Sequence, residues 1–200
     1  PLVENFGTAL RQAEFQVISI VTTTGFVTAD FAQWPMFSQM ILFVLMFIGA
    51  CAGSTGGGLK VGRMIIIVKA VWRELRRAIN PKRVKAIKLD GAVIEKDVVL
   101  TTSAYFIIYI FIIGISSLLL SIDNFDFTTN FTSIVATINN IGPGLNMVGP
   151  TKNFAEFSHL SKFVLMFDML AGRLELFPLL ILFHPRLWKD MFIRHKRAKK

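Results

Sequence analysis

The 200-residue chain is 53% hydrophobic and only 18% charged, and it carries a formal net charge of +9. This composition is typical of a membrane protein, because several segments approach or exceed the roughly 20 apolar residues that span a bilayer. Cys51 stands alone, which excludes a disulfide framework.

The positive charge is concentrated in two blocks, residues 60–96 and 186–200. The loops around Asp30 and over 123–150 carry almost no Lys or Arg. Under the positive-inside rule both basic blocks are cytoplasmic and the neutral loops are external. Apolar spans flank both blocks, so we expect no nucleic-acid partner.

In chain order, residues 5–21 are predicted to form a short, mildly amphipathic helix that is too short and too polar to cross a membrane. A hydroxyl-rich extended stretch over 22–26 and an outer loop follow. Trp34-Pro35 then offers an interfacial aromatic and a helix-starting proline. Residues 36–49 form an apolar half-span of about 21 Å at 1.5 Å per residue.

A glycine-rich, uncharged loop over 50–59 interrupts this helix before a basic amphipathic helix over 61–79. Each Gly inside a helix costs roughly 1 kcal/mol relative to Ala. At membrane depth, irregular backbone survives only inside protein or beside a water-filled cavity. The loop is therefore predicted to line a pathway for something polar, with a simple kink or a soluble loop as the alternatives. Leu59 and Val61 break its superficial likeness to a phosphate-binding loop, which excludes nucleotide hydrolysis.

The second half is predicted to repeat this layout after a charged cytoplasmic connection that starts at Asn80-Pro81 and turns at Asp90-Gly91. The expected elements are a spanning helix over 97–122, an outer turn over 123–126, a short helix over 128–138, a polar stretch over 139–144, an outer loop over 145–157 and a final span over 162–183. Ser158 or Ser161 is expected to cap the last span, and a basic tail follows His184-Pro185.

The two halves form an internal repeat in which Gly25 superposes on Gly142 and both units run in the same direction. A short helix that ends in extended backbone around a Gly is typical of a cation filter, where carbonyl oxygens replace the ion's hydration shell. Gly takes φ > 0 without a Cβ clash, and neighbouring Thr and Asn add further oxygens. The candidate filter residues are Thr22, Thr23, Thr24, Gly25, Asn139, Asn140, Ile141 and Gly142. Two ordinary re-entrant turns are the alternative.

Arg173 is the other candidate functional residue, because a cation in mid-span is expensive unless it is paired or faces water. Asp168 and Glu175 are near in sequence, but neither stands three or four residues away. We expect Arg173 to face the pore against the glycine loop as an electrostatic barrier to cations. Snorkelling to an interface, or pairing within the bundle, is the alternative.

No catalytic set is recognisable, so we predict that the chain is not an enzyme. His159, His184 and His195 lack metal-ligand spacing, and no metal site is expected beyond K⁺ in the filter. No bound cofactor is expected either.

Three ordered motifs resemble the Trk/Ktr/HKT potassium-transporter superfamily, most closely its TrkH/TrkG type. They are Ser19-Ile20-Val21-Thr22-Thr23-Thr24-Gly25-Phe26, Gly53-Ser54-Thr55-Gly56-Gly57-Gly58-Leu59-Lys60 and Ala171-Gly172-Arg173-Leu174-Glu175. The resemblance implies an all-α membrane fold of repeated membrane helix–pore helix and filter loop–membrane helix units. It implies the end of a third repeat over 1–79, a basic linker over 80–96, a fourth repeat over 97–188 and a basic tail over 189–200.

The same resemblance implies K⁺ uptake through a selective pore in the cell (inner) membrane. Its gate would be the loop residues Gly53, Ser54, Thr55, Gly56, Gly57 and Gly58, with Arg173 near them. The implied partners are the lipid bilayer, a cytoplasmic RCK-type nucleotide-binding regulatory subunit and a second copy in a homodimer. A Na⁺-permeable relative and a non-transporting regulatory or assembly subunit are the alternatives.

The chain departs from the superfamily pattern in two places. The second filter segment reads Asn140-Ile141-Gly142 instead of Thr-Thr-Gly, which we interpret as asymmetry between quadrants. The first two repeats are also missing, and the chain starts without an initiator Met, so we expect a fragment of a longer protein. Two quadrants do not enclose a fourfold pore, so this chain alone is not expected to conduct.

Overall fold

The computed structural model describes residues 5–49, 51, 54, 56–81 and 86–174. The predominantly helical fold predicted from the sequence is confirmed. The helices of this part of the chain are α1 (Phe6–Val21), α2 (Met36–Met46), α3 (Val61–Ile79), α4 (Lys96–Leu120), α5 (Phe127–Ile138) and α6 (His159–Arg173). Short 3-10 turns cover Phe31–Gln33, Ser121–Asp123 and Asn146–Val148.

The helix boundaries lie close to those predicted, with two exceptions. Helix α2 ends at Met46, three residues before the predicted end of the half-span. Helix α6 begins at His159 because the Ser158 hydroxyl accepts a hydrogen bond from the Ser161 backbone N–H at 3.2 Å, so Ser158 is the cap. The predicted continuation of this span to residue 183 lies outside the described residues beyond Leu174, as do the predicted tail and its histidines.

The charged connection contains a small hairpin that the sequence analysis did not predict. Strands β1 (Lys88–Leu89) and β2 (Ala92–Val93) are antiparallel, with Lys88 opposite Val93 and Leu89 opposite Ala92. The predicted Asp90-Gly91 turn joins them, and both turn residues have positive φ, 49° and 83°. Two positive φ values are what a tight two-residue hairpin turn requires.

Helix α5 lies at the centre of the packing. One apolar cluster joins it to α4 and α6 through residues that include Tyr105, Tyr109, Ile134, Ile138 and Leu165. A second cluster joins its other side to α1 and α2 through residues that include Ile20, Leu42, Met46 and Val135. The buried hydroxyls of α5 bond to carbonyls of its own preceding turn, as Thr137 does to Ser133 O at 2.8 Å. Helix α5 is therefore in contact with α1 and α2 on one side and with α4 and α6 on the other.

Candidate ion-conduction site

The two predicted filter segments have the same backbone geometry. After α1, Thr23 N–H donates to Ile20 O at 3.0 Å and Thr24 N–H to Ser19 O at 2.9 Å. After α5, the residues at the same offset do likewise: Asn140 N–H donates to Thr137 O at 2.9 Å and Ile141 N–H to Ala136 O at 2.8 Å. This pair of bonds is the Schellman ending of a helix. Helices α1 and α5 therefore end with the same pair of hydrogen bonds at the positions that align Gly25 with Gly142.

Both segments contain two residues in the left-handed region. Thr23 and Asn140 each have φ of 55°, and Gly25 and Gly142 have φ of 76° and 107°. Glycine adopts such angles readily, whereas a β-branched residue such as Thr23 rarely does. Because residues with positive and negative φ alternate in these segments, successive peptide groups differ in orientation from those of a regular helix or strand.

The two filter segments meet at Gly25. A Cβ atom on Gly25 would overlap the carbonyl oxygen of Ile141 and lie 3.5 Å from Cδ of Pro143. A Cβ on Gly142 would have no atom of the described residues within 4 Å. The first segment is therefore packed edge to edge against the second, while the corresponding side of the second is open in this part of the chain.

The asparagine side chains of the second segment attach it to the surrounding helices. The Tyr109 hydroxyl of α4 donates to Oδ1 of Asn139 at 3.0 Å, and Nδ2 of Asn140 donates to the carbonyl oxygen of Met169 in α6 at 3.0 Å. The amide oxygen of Asn139 therefore anchors the segment to α4. In the first segment, the Thr22 and Thr24 hydroxyls lie 2.8 Å apart and bond to each other.

The described part of the glycine loop lies against the base of the second filter segment. The loop closes where Gly49 N–H donates to Leu59 O at 2.9 Å. A Cβ on Gly57 would lie 2.5 Å from the carbonyl oxygen of Asn139, and one on Gly58 would overlap the Asn139 side chain. Contact this close is possible only without side chains, which is a physical reason for glycine at these positions. Of the other candidate gate residues, Ser54 and Gly56 are described, whereas Gly53 and Thr55 lie outside the described residues.

Arg173 shares a cavity with this loop. It is the last residue of α6 and is exposed. The cavity, of about 270 Å³, is lined by Arg173 with residues that include Ser54, Gly56, Gly58, Lys60 and Arg63. Its neighbour Gly172 packs so tightly that a Cβ there would overlap the carbonyl oxygen of Ile138, at the end of α5. The structure thus brings together the described residues that the sequence analysis singled out as filter, loop and barrier.

Three positioning residues were missed by the sequence analysis. Tyr109 holds Asn139, as described above, and Ser116 Oγ donates to Oδ1 of the fully buried Asp168 at 2.9 Å. Asp126 caps α5 by accepting from Thr129 N–H at 3.0 Å and from Asn146 Nδ2 at 2.9 Å. Two sequence features could have indicated these residues. Tyr109 and Ser116 are hydroxyl residues on an otherwise apolar helix, and Asp126 stands three residues before Thr129, the spacing of a helix cap.

Hydrogen bonds stabilise the charged form of the Asp126 carboxylate at the N-terminus of α5. The Thr129 hydroxyl, together with its backbone N–H and Asn146, holds the pKa of Asp126 below its ordinary value. The backbone N–H of Ser158 donates to Asp123 at 2.9 Å. Charge-assisted bonds to a backbone N–H stabilise an ionised carboxylate, so the start of α5 is fixed by Asp126 at neutral pH.

Comparison of the sequence with models of known protein families shows which family the chain belongs to. Residues 3–194 match the model of a family named TrkH and described as a cation transport protein. The chain belongs to the TrkH family. As a member of this family it is a membrane protein, and within the described residues one helical stretch, residues 96–123, is long and apolar enough to cross a bilayer.

The relatives of this TrkH-family chain are potassium uptake proteins by name. It is 43% identical over 183 residues to "Trk system potassium uptake protein TrkH" of Salmonella typhimurium, covering 92% of this chain and 38% of that protein. The TrkG protein of the Trk potassium uptake system of Escherichia coli is 30% identical over 176 residues, with 88% and 36% covered. The crystal structure of the potassium transporter TrkH from Vibrio parahaemolyticus superposes with a TM-score of 0.84 at 40% identity, covering 93% of this chain and 39% of that one. The chain therefore spans a little over a third of the length of these relatives.

Proposed function

We propose that this chain contributes two neighbouring quadrants of a K⁺-selective pore, and its intramembrane gate, to a protein that takes up potassium. The observation that carries the proposal is the matched pair of filter segments packed together at Gly25 and Ile141. Short helices that end in such segments direct backbone carbonyls and the negative ends of their dipoles toward one point. The names of the relatives support K⁺ as the transported ion.

In this proposal Thr22, Thr23, Thr24 and Gly25 line one quadrant, and Asn139, Asn140, Ile141 and Gly142 line the next. Backbone carbonyls are the principal ligands, since the Asn139 side chain is used by Tyr109. The open side of Gly142 is where a further quadrant would pack, in the way that Ile141 packs on Gly25. In the same proposal, residues 1–79 are the end of the third repeat and residues 97–188 are the fourth repeat.

We further propose that the loop over 53–58 is the gate and that Arg173 is its electrostatic barrier. The support is the contact of Gly57 with the Asn139 carbonyl and the cavity shared by Ser54, Gly56 and Arg173. A guanidinium beside a narrow aqueous path repels a cation that is leaving the filter.

In the same proposal, the basic segments 60–96 and 186–200 are cytoplasmic, the filter loops are external and the membrane is the cell (inner) membrane. An RCK-type nucleotide-binding subunit on the cytoplasmic side and assembly as a homodimer belong to the same proposal.

Removing the barrier tests the gate. Arg173→Ala in the full-length protein is expected to raise the rubidium leak through closed pores several-fold, because the repulsive charge is gone. Lys152→Ala, which removes an exposed cation from an outer loop, is the matched control and should leave the leak unchanged. Equal leak in the Arg173→Ala variant and the wild type would refute the barrier assignment.

The transport function itself is tested by rubidium uptake into vesicles that contain the full-length protein and any regulatory subunit it needs. Uptake that K⁺ competes with and Na⁺ does not is the expected result. Absence of uptake would favour a non-transporting membrane subunit, and equal competition by Na⁺ would favour a Na⁺-permeable pore.

A further inference from the structure

Helix α3 has an amphiphilic side that the pore does not use. Lys69, Arg73 and Arg76 stand at i, i+4 and i+7 and so share one side of the helix. Exposed apolar side chains lie beside these cations on the helix, two of them before Lys69 and one between Lys69 and Arg73. These are Ile65, Val68 and Trp72, with 37%, 48% and 57% of their surface accessible. The cations therefore follow an apolar stripe along the helix.

The cations surround a cleft between α3 and the β1–β2 hairpin. The cleft has a volume of about 450 Å³ and is lined by residues that include Lys69, Trp72, Arg73, Arg76 and Lys88. Lys69 Nζ donates to the Lys88 carbonyl oxygen at 2.7 Å, and the Arg76 guanidinium lies over the Trp72 ring, 5.8 Å from its centroid. The hairpin thus forms a wall of the cleft, and specific contacts position Lys69 and Arg76 beside it.

The charge of α3 is far from balanced. The helix contains five Lys or Arg residues and one acid, Glu74. Glu74 pairs with Arg73 at 2.9 Å and with Arg77 at 3.7 Å. An anion in the cleft would meet an excess of positive charge, with two ammonium protons of Lys69 and the guanidinium of Arg76 as donors.

The depth of the cleft matches the headgroup layer, given the membrane orientation proposed above. The helical residues 36–46 and 61–69 together rise about 30 Å at 1.5 Å per residue, starting just after the interfacial Trp34, and residues 47–49 add to this length. The two segments join at one level, since Gly49 and Lys60 form a bridge. The hydrocarbon core of a bilayer is about 30 Å thick. Lys69 therefore reaches the cytoplasmic surface, while Ile65 and Val68 remain at acyl-chain depth.

We propose that this cleft binds an anionic phospholipid. Lys69, Arg73 and Arg76 hold the headgroup phosphate, Trp72 lies among them at the headgroup level, and the acyl chains run along Val68 and Ile65. A soluble phosphate compound would satisfy the cations but leave the apolar stripe uncovered, whereas a lipid covers both. The site is separate from the filter and the gate loop.

The test is native mass spectrometry of the full-length protein in detergent, titrated with phosphatidylglycerol. Each basic residue near an anionic lipid surface contributes about fivefold in affinity. The Arg73→Gln/Arg76→Gln variant is therefore expected to bind phosphatidylglycerol about 30-fold more weakly. The control variant Arg77→Gln/Lys96→Gln removes the same charge from the same side of the protein but outside the cleft, and should change the affinity less than threefold.

Several outcomes overturn the proposal. They are an equal loss of affinity in both variants, equal affinity for phosphatidylcholine, full competition by inorganic phosphate, and self-association through α3 that lipid does not displace. The Arg73→Lys/Arg76→Lys variant keeps the charge and should retain most of the binding. Such retention would show that the loss in the Gln variant is due to the missing charge.

Rubidium uptake is measured on the same preparations. Lipid binding without uptake would count against the proposed function alone, and uptake without the expected lipid binding would count against the lipid site alone.

Discussion

At the scale of single residues, the backbone angles of the filter segments separate what the sequence predicts from what it does not. A positive φ was anticipated at Gly25 and Gly142, because a glycine that punctuates a polar stretch usually has a conformational reason, and both residues have it. The positive φ of Thr23 was not anticipated, since β-branched residues avoid that region. Its cause is the helix ending, which places the residue after the cap in the left-handed region whatever its type.

Thr23→Asn is expected to stabilise the protein. Asn tolerates the left-handed conformation and already occupies the matched position as Asn140, so the change should raise the free energy of unfolding by about 0.5–1 kcal/mol. Thermal unfolding of the full-length protein in detergent measures this. Thr22→Asn is the control, because Thr22 has φ of −81° and gains nothing from the replacement. A melting temperature of Thr23→Asn at or below that of the wild type would contradict the stabilisation.

Asp126 is expected to give the N-terminus of α5 a pH-dependent stability. Because its pKa is lowered in the folded protein, its capping bonds contribute stability above the ordinary value of 3.8, and this contribution is lost as the pH falls through the lowered value. Asp126→Ala should cost about 1 kcal/mol at pH 7, the usual loss for an N-cap.

Asp126→Asn keeps a capping side chain that does not titrate, so its melting temperature should fall less than that of the wild type between pH 5 and pH 3. Melting curves across this range check the prediction. Parallel curves for the wild type and Asp126→Asn would show that the cap does not titrate in this range.

At the scale of elements, the sequence predicted the helices but not the two short strands. Helices α1, α3 and α5 lie within a residue of their predicted bounds, because their polar and apolar residues change at the ends. The β1–β2 hairpin was missed because strands of two residues have too few positions to show an alternation. The start of α6 was left open between Ser158 and Ser161, and only the hydrogen bond between them decides which one caps.

The packing of α6 on α5 predicts opposite effects for two glycine-to-alanine changes. Gly172→Ala would place a methyl group on the Ile138 carbonyl oxygen, so the helices must separate at a cost of about 1–3 kcal/mol. Gly114→Ala in α4 meets no described atom within 4 Å and should gain up to about 1 kcal/mol from helix propensity. Melting temperatures of the two variants check this, and a shift in the same direction for both would contradict the close packing.

At the scale of the whole molecule, the repeat was visible in the sequence but the contact between its copies was not. Matching Gly25 to Gly142 requires only a comparison of spacings along the chain. The contact of Gly25 with Ile141, and of Gly57 with Asn139, depends on the packing of α1, α2 and α5 around each other. Such long-range contacts leave no local pattern, so the sequence predicted the components of the site and not their arrangement.

The central claim is that Gly25 belongs to a selective filter in which neighbouring segments pack without side chains between them. Competition of K⁺ and Na⁺ for rubidium uptake, measured with the Gly25→Ala and Gly7→Ala variants of the full-length protein, tests it most directly. Gly7 lies in the same helix-and-filter segment, and a Cβ there meets no described atom within 4 Å. Gly25→Ala is expected to abolish uptake or its preference for K⁺, and Gly7→Ala is expected to retain both. Unchanged discrimination between K⁺ and Na⁺ in Gly25→Ala would contradict it.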